Sequence, residues 1–155
     1  MHTSKALRWL LASFTAALVG CAASGPQFRE LGALPEKEGQ IILYRTEAFL
    51  DGGVAWRVDL DGRKAAVLRN GGYAVVQVPA GTHSLELRAD SFMNALSFKN
   101  IALPVEVAPN SRLFVRAGVE PTAIILPAYV GRSRTFAVVS AETAMPELRA
   151  LKLSE

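Results

Sequence analysis

Val54-Ala55-Trp56-Arg57-Val58-Asp59-Leu60-Asp61-Gly62 is the stretch whose reading decides the fold. Successive side chains of an extended chain point to opposite sides, so Val54, Trp56, Val58 and Leu60 share one face and Ala55, Arg57 and Asp59 the other. Asp61-Gly62 follows at once. This dipeptide accepts the left-handed backbone that a two-residue hairpin turn requires. Lys64 to Arg69 then returns as the partner strand.

The same period of two runs in both directions from this hairpin. Upstream, Ile41, Leu43 and Arg45 alternate with Ile42 and Tyr44, apolar on both faces, which predicts a central strand. Downstream, Asn70-Gly71-Gly72 turns the chain into Tyr73 to Val78. Pro79-Ala80-Gly81 turns it again into Thr82 to Ala89. Ile101 to Val107 and Arg112 to Val119 are further strands joined through Pro109-Asn110. Pro104 has no N–H for a ladder, so its strand belongs at a sheet edge. Ile124 to Val130 is apolar but interrupted by Pro127 and hard to assign; such a run is more often a buried strand than a contact surface, and exposed it would suggest a protein or membrane partner. Thr135 to Val139 is the last expected strand. Ala141 to Leu153 closes the chain as a short helix with Ser140 as its cap, and Pro146 obliges that helix to begin late or kink. About seven or eight strands with turn signals between them predict a mostly β fold, a single antiparallel β-sandwich with a short C-terminal helix.

The N-terminus carries a different message. Lys5 and Arg8 form a short basic region, and Trp9 to Val19 is 11 residues without a charge. This is the pattern of a secretory leader. A membrane-spanning helix takes about 17–25 apolar residues, so the run is too short to span. Leu18-Val19-Gly20-Cys21 resembles the lipobox of bacterial lipoproteins, and that resemblance implies cleavage before Cys21 and lipid attachment to its thiol. Cys21 is the only cysteine of the chain. No disulfide is therefore available, and lipidation disposes of an otherwise lone exported thiol. The expected organisation is a signal peptide over 1–20, a flexible tether over 21–38 rich in Gly and Pro, and the sandwich over 39–155. Fully extended, the tether would reach at most roughly 60 Å at about 3.3 Å per residue.

Removing the leader takes Lys5 and Arg8 with it and leaves 15 basic residues against 14 acidic ones. The basic run that tracks phosphates is missing, which excludes nucleic acid as the expected partner.

Tyr44-Arg45, Val58-x-x-Asp61-Gly62, Leu68, Gly72-Tyr73, Val78-Pro79-x-Gly81-x-His83 and Leu85 follow one another in an order that resembles an uncharacterised group of bacterial lipoproteins, defined only as a domain of unknown function. Ala144-Met145-Pro146-Glu147-Leu148 is similar to the ending of that group. Ala80 stands where the group has a second proline. A broader similarity is to small periplasmic sandwich modules of the PEGA-like kind. The resemblance implies a multiply acylated Cys21, palmitate included, and no activity. Ala22 follows the cysteine where Asp would signal inner-membrane retention, so an outer-membrane protein facing the periplasm is implied.

Candidate chemistry is sparse. Asp59-Leu60-Asp61-Gly62 contains the D-x-D-G of a calcium loop, but Arg57 and Leu68 occupy the first and twelfth ligand positions, and neither coordinates calcium. His83 is the only histidine remaining after the leader, too few for a histidine-based metal site. As a general base it would need a carboxylate and a nucleophile nearby, for which Ser84 and Ser91 are the neighbouring hydroxyls; otherwise it bonds a turn carbonyl at the rim of the core. Tyr44, Trp56 and Tyr73 are expected core rings, and two of them exposed side by side would stack a sugar. Arg132 and Arg134 would meet lipid headgroups or solvent. The expectation is a lipid-anchored, non-catalytic binding or structural module for another envelope protein, without metal or cofactor. The alternatives are a small-ligand or glycan binder and, third, a hydrolase built on His83.

Overall fold

The computed structural model describes residues 22–34, 36–90, 99–126 and 129–154, with the backbone alone for 123–126 and 129–130. Residues 1–20, expected as a leader, together with Cys21, Ser91 and Pro127 lie outside the described residues. The chain forms β1 (Glu38–Arg45), β2 (Trp56–Leu60), β3 (Arg63–Leu68), β4 (Gly72–Pro79), β5 (Gly81–Ala89), β6 (Ile101–Val107), β7 (Arg112–Leu126), β8 (Tyr129–Val139), α1 (Ala141–Leu148) and β9 (Lys152–Leu153). Two sheets result, ordered β8-β7-β1-β4-β9 and β3-β2-β5-β6. The fold is thus the expected sandwich, with nine strands among the described residues.

Leu60 pairs with Arg63 across the two-residue turn, and Asp61 and Gly62 take φ of 49° and 78°. Both central residues of that turn are left-handed, as its hairpin geometry demands. The Asn70 and Pro79–Gly81 turns carry the chain from one sheet to the other instead, since β3 and β5 lie in the four-stranded sheet and β4 in the five-stranded one. Pro104 lies in β6, at the edge.

β1 is central, as its two apolar faces require. Ile41 and Leu43 enter the core between the sheets with Trp56, Val58, Leu68, Leu85, Leu87 and Val115. Ile42 and Tyr44 face the other way, into a second core with Phe28, Phe114, Ala144, Leu148 and Leu151. A third layer made of α1 and the N-terminal segment therefore covers the outer face of the five-stranded sheet. At about 25 cal/mol per Å² of buried apolar surface, each large side chain in either core contributes about 1.5–3 kcal/mol.

Four features depart from the sequence reading. β1 runs parallel to β7, with Gln40 beside Arg112 and Arg45 beside Ala117, and β4 runs parallel to β9. The remaining pairings are antiparallel. β7 continues through Pro121 to Leu126 rather than ending at Val119, and β8 begins at Tyr129 rather than Thr135. Past Ala117 only β8 borders β7, and the register shifts between Pro121 and Ala123. A proline is harmless where one edge is unpaired and the ladder bulges.

The helix begins at Ala141, capped by Ser140 Oγ accepting from Thr143 N at 3.2 Å, and it ends at Leu148 rather than Leu153. Pro146 in its second turn supplies no N–H to the ladder, and the helix stops two residues later. Lys152–Leu153 instead extends the sheet beside β4.

The stretch expected to be a flexible tether is bonded to the body along much of its length. Ala23 N donates to Asn70 O, Gly25 N to Leu153 O, and Phe28 N to Leu151 O. Ala23 and Phe28 are buried, and Phe28 meets the ring of Tyr73 edge-on at 5.3 Å.

Candidate functional site

His83 opens β5 just after the corner at Gly81, and its ring has two acceptors. Nδ1 lies 2.8 Å from Asp61 Oδ2 in the hairpin turn, and Nε2 lies 2.9 Å from the carbonyl of Pro79. A carbonyl only accepts, and so does an ionised carboxylate, so both ring nitrogens carry hydrogen to satisfy both bonds. The hydrogen bond to Asp61 and that to Pro79 accordingly raise the His83 pKa, while the bonds from His83 and Ser84 N lower that of Asp61. In that doubly donating form the ring has no lone pair with which to take a proton from a hydroxyl. The pair joins the β2–β3 turn to the corner between sheets, the turn-carbonyl role anticipated for His83 with Asp61 added.

The other acid of the D-x-D-G stretch is also engaged. Asp59 is buried and bound by Arg57 Nε at 2.5 Å, with Arg88 at 3.6 Å. Among the described residues no three His, Cys, Asp or Glu side chains gather in the manner of a metal site.

Of the three rings singled out in the sequence, Tyr44 and Trp56 are fully buried and Tyr73 is half-buried against Phe28, so they present no exposed stacking pair. Tyr44 reaches through the outer core to donate to Glu147 Oε2 at 2.6 Å, and Arg116 pairs with the other oxygen at 3.2 Å. Burial first, then this bond, push the phenol pKa up. Glu147 thereby fastens α1 to β1 and β7.

Trp56 lies under the guanidinium of Arg45, 3.8 Å from its ring centroid. Arg45 is buried and donates to the carbonyls of Val54 and Asp51 at 2.5 and 2.6 Å. Burial lowers its pKa to about 10, with Asp51 acting in the opposite sense, so it remains charged at neutral pH. The Asp51 carboxylate in turn binds Arg132 at 2.9 Å and Arg134 at 2.7 Å. Both arginines expected to face headgroups or solvent are thus ion-paired, Arg134 with only 11% of its side chain exposed.

What sequence reasoning missed is a groove on the outer layer. The N-terminal segment, α1 and the start of β7 bound an open cleft of about 710 Å³ lined by Arg29, Arg112 and Arg149 with Leu31, Phe114 and Met145. Arg112 donates to Gln40 Oε1 at 3.1 Å and to the Gly32 carbonyl, which fixes it in the wall. Arg29 and Arg149 are exposed and make no ion pair among the described residues. Three guanidiniums around an apolar floor, with Glu30 the one acid in the lining, suit an acidic group attached to apolar surface. No sequence signal reveals this cleft, because Arg29, Arg112 and Arg149 lie 37 to 120 positions apart in the chain.

Among the described residues no helix is long and apolar enough to cross a membrane. No protein-family model, curated protein or solved structure matches this chain.

Proposed function

We propose that this chain is a lipid-anchored envelope protein whose folded body is a non-catalytic binding module for another envelope protein. The arginine-lined groove carries the reading of the body: it is open, amphipathic and held by the fold at Arg112. Its charge suits a partner segment that presents Asp or Glu beside apolar side chains. The leader and the Leu18–Cys21 lipobox support the anchor, and the resemblance to lipoproteins of unknown function supports the class. Two or more acyl chains on Cys21 would hold the chain stably, where one gives only about 10⁴ M⁻¹. Ala22 after the cysteine favours the outer membrane, with the body in the periplasm.

The test has two arms. Cys21→Ser is expected to release the chain from the membrane fraction, and intact mass of the native protein is expected to show an acylated Cys21. A photo-crosslinker at Leu34 or Met145 is expected to capture one envelope protein, and capture should fall about ten-fold with Arg29→Glu/Arg149→Glu, the loss of two charge-assisted contacts. His83→Ala should leave it unchanged. A bare Cys21 thiol sinks the anchor; equal capture with the charge-reversed groove sinks the binding mode.

A further inference from the structure

The two ends of the sandwich differ, and the anchored terminus enters at one of them. β1 finishes there at Arg45, level with the start of β4 at Gly72, and Ala22 forms a bridge with Asn70 just beyond. The approach is close: a Cβ on Gly72 would overlap Ser154 Oγ and press on Ala23. Cys21 is one covalent step from Ala22, a Cα spacing of about 3.8 Å. The attachment point proposed for the lipid is therefore one residue from this end of the sandwich.

Asn70 couples that entry point to an exposed aromatic. Its side chain receives Ala48 N at 2.9 Å and donates to Ala48 O at 3.0 Å, while its backbone carbonyl holds Ala23 N. The next residue, Phe49, is 100% exposed. Its loop is braced by the Gly52 N to Phe49 O turn at 3.1 Å and by Arg45 on the Asp51 and Val54 carbonyls. A fully exposed phenylalanine on a braced loop costs solubility without contributing to either core.

The β7–β8 hairpin leaves the body at the same end. β7 is level with Arg45 at Ala117 and runs on in that direction to Leu126, nine residues or about 30 Å at 3.3 Å each if extended. Asp51, from the Phe49 loop, grips the root of the hairpin through Arg132 and Arg134. Beyond the grip the paired stretches read Ala123-Ile124-Ile125-Leu126 and Tyr129-Val130, without a charge.

We infer that this end of the sandwich lies on the bilayer, with Phe49 and the distal β7–β8 hairpin in the boundary between headgroups and acyl chains. This makes a second, non-covalent membrane contact that sets the orientation of the body. It rests on the reading that Cys21 is lipidated. A shallow apolar insertion of about 5–10 Å beside an acyl anchor adds binding that the anchor alone does not supply. The polar turns at Asp61–Gly62 and Asn110 then face away from the membrane.

Trp fluorescence in vesicles containing brominated phospholipids tests this on the mature lipidated chain, Cys21 to Glu155. After leader removal Trp56 is the one native tryptophan, so Phe49→Trp, Tyr129→Trp and Asn110→Trp each add one reporter. The expected result is about two-fold quenching of the reporters at 49 and 129 and none at 110 beyond the parent, as shallow insertion predicts. Acylated protein on the vesicles with reporters 49 and 129 unquenched overturns the inference and leaves the anchor standing. A bare Cys21 thiol in the native protein overturns the anchor, and with it the orientation that rests on it, whatever the quenching. Crosslinking of these positions to a protein, without quenching, also overturns the orientation.

Discussion

The two ends of this sandwich are made by different means. At the Asp61–Gly62 end the connections are short and polar, and each turn is held by its own neighbourhood: positive φ at Asp61 and Gly62, the same at Asn110, and His83 spanning from Pro79 to Asp61. At the Arg45 end the long connection from β1 to β2 is braced by side chains. Arg45 holds the carbonyls of Asp51 and Val54 within that connection, Asn70 holds Ala48, and Asp51 reaches 83 positions along the chain to Arg134 in the long hairpin. Local turns tolerate the loss of a side-chain bond, because backbone geometry still closes them. The braced end depends on polar side chains, Arg45 and Asp51 among them with their charged groups buried.

That contrast predicts a gradient of effects. Arg45→Ala is expected to cost most, about 3–4 kcal/mol, because it leaves two carbonyls unpaired and a cavity over Trp56. Urea unfolding measures it, and a loss below about 1 kcal/mol would show that the loop is braced elsewhere. Asp51→Ala follows at about 2–3 kcal/mol, since two guanidiniums then share a site without their counter-charge. Hydrogen exchange should quicken at residues 131–135 and stay unchanged at 63–68; uniform quickening would contradict a local clamp. Asn70→Ala is expected to cost about 1–2 kcal/mol and to loosen Ala48, whose N–H and carbonyl both lose their partner, while Ala23 N keeps the backbone carbonyl of residue 70. Hydrogen exchange that left Ala48 as protected as in the parent would show that the side chain does not brace the loop.

The smallest effect belongs to the His83–Asp61 pair. The raised His83 pKa means its contribution is fully present below the ordinary value of 6.5 and is lost as pH rises through the folded value. The lowered Asp61 pKa means its contribution is present above 3.8 and is lost as pH falls through the folded value. The stability difference between the parent and His83→Ala should therefore be greatest near pH 5–6 and shrink towards pH 9. A difference independent of pH would mean the contacts act through packing alone.

Legibility in the sequence followed the same divide. The β2–β3 hairpin, the central β1, the edge strand with Pro104 and the Ser140 cap were readable because each depends on residues next to one another. The distal part of β7 was not. Pro121 argues against a strand wherever both edges must pair, and only knowledge of β7's neighbours shows that one edge is open beyond Ala117. The final strand was read as helix because Leu148 and Leu151 fit a helical spacing, while the sheet edge offered by β4 was invisible. Tyr44 was legible as a core ring, but not its bond to Glu147. The groove was unreadable throughout, since Arg29, Arg112 and Arg149 meet only after three elements pack.

By itself the sequence determined the strand pattern and the turn chemistry, because alternation and left-handed turns are properties of neighbouring residues. Tertiary structure alone decided which strands run parallel, that the segment after Cys21 packs onto the sheet, and which end of the body it joins. Those outcomes depend on long-range pairing and on which apolar face finds cover, and no local preference encodes either.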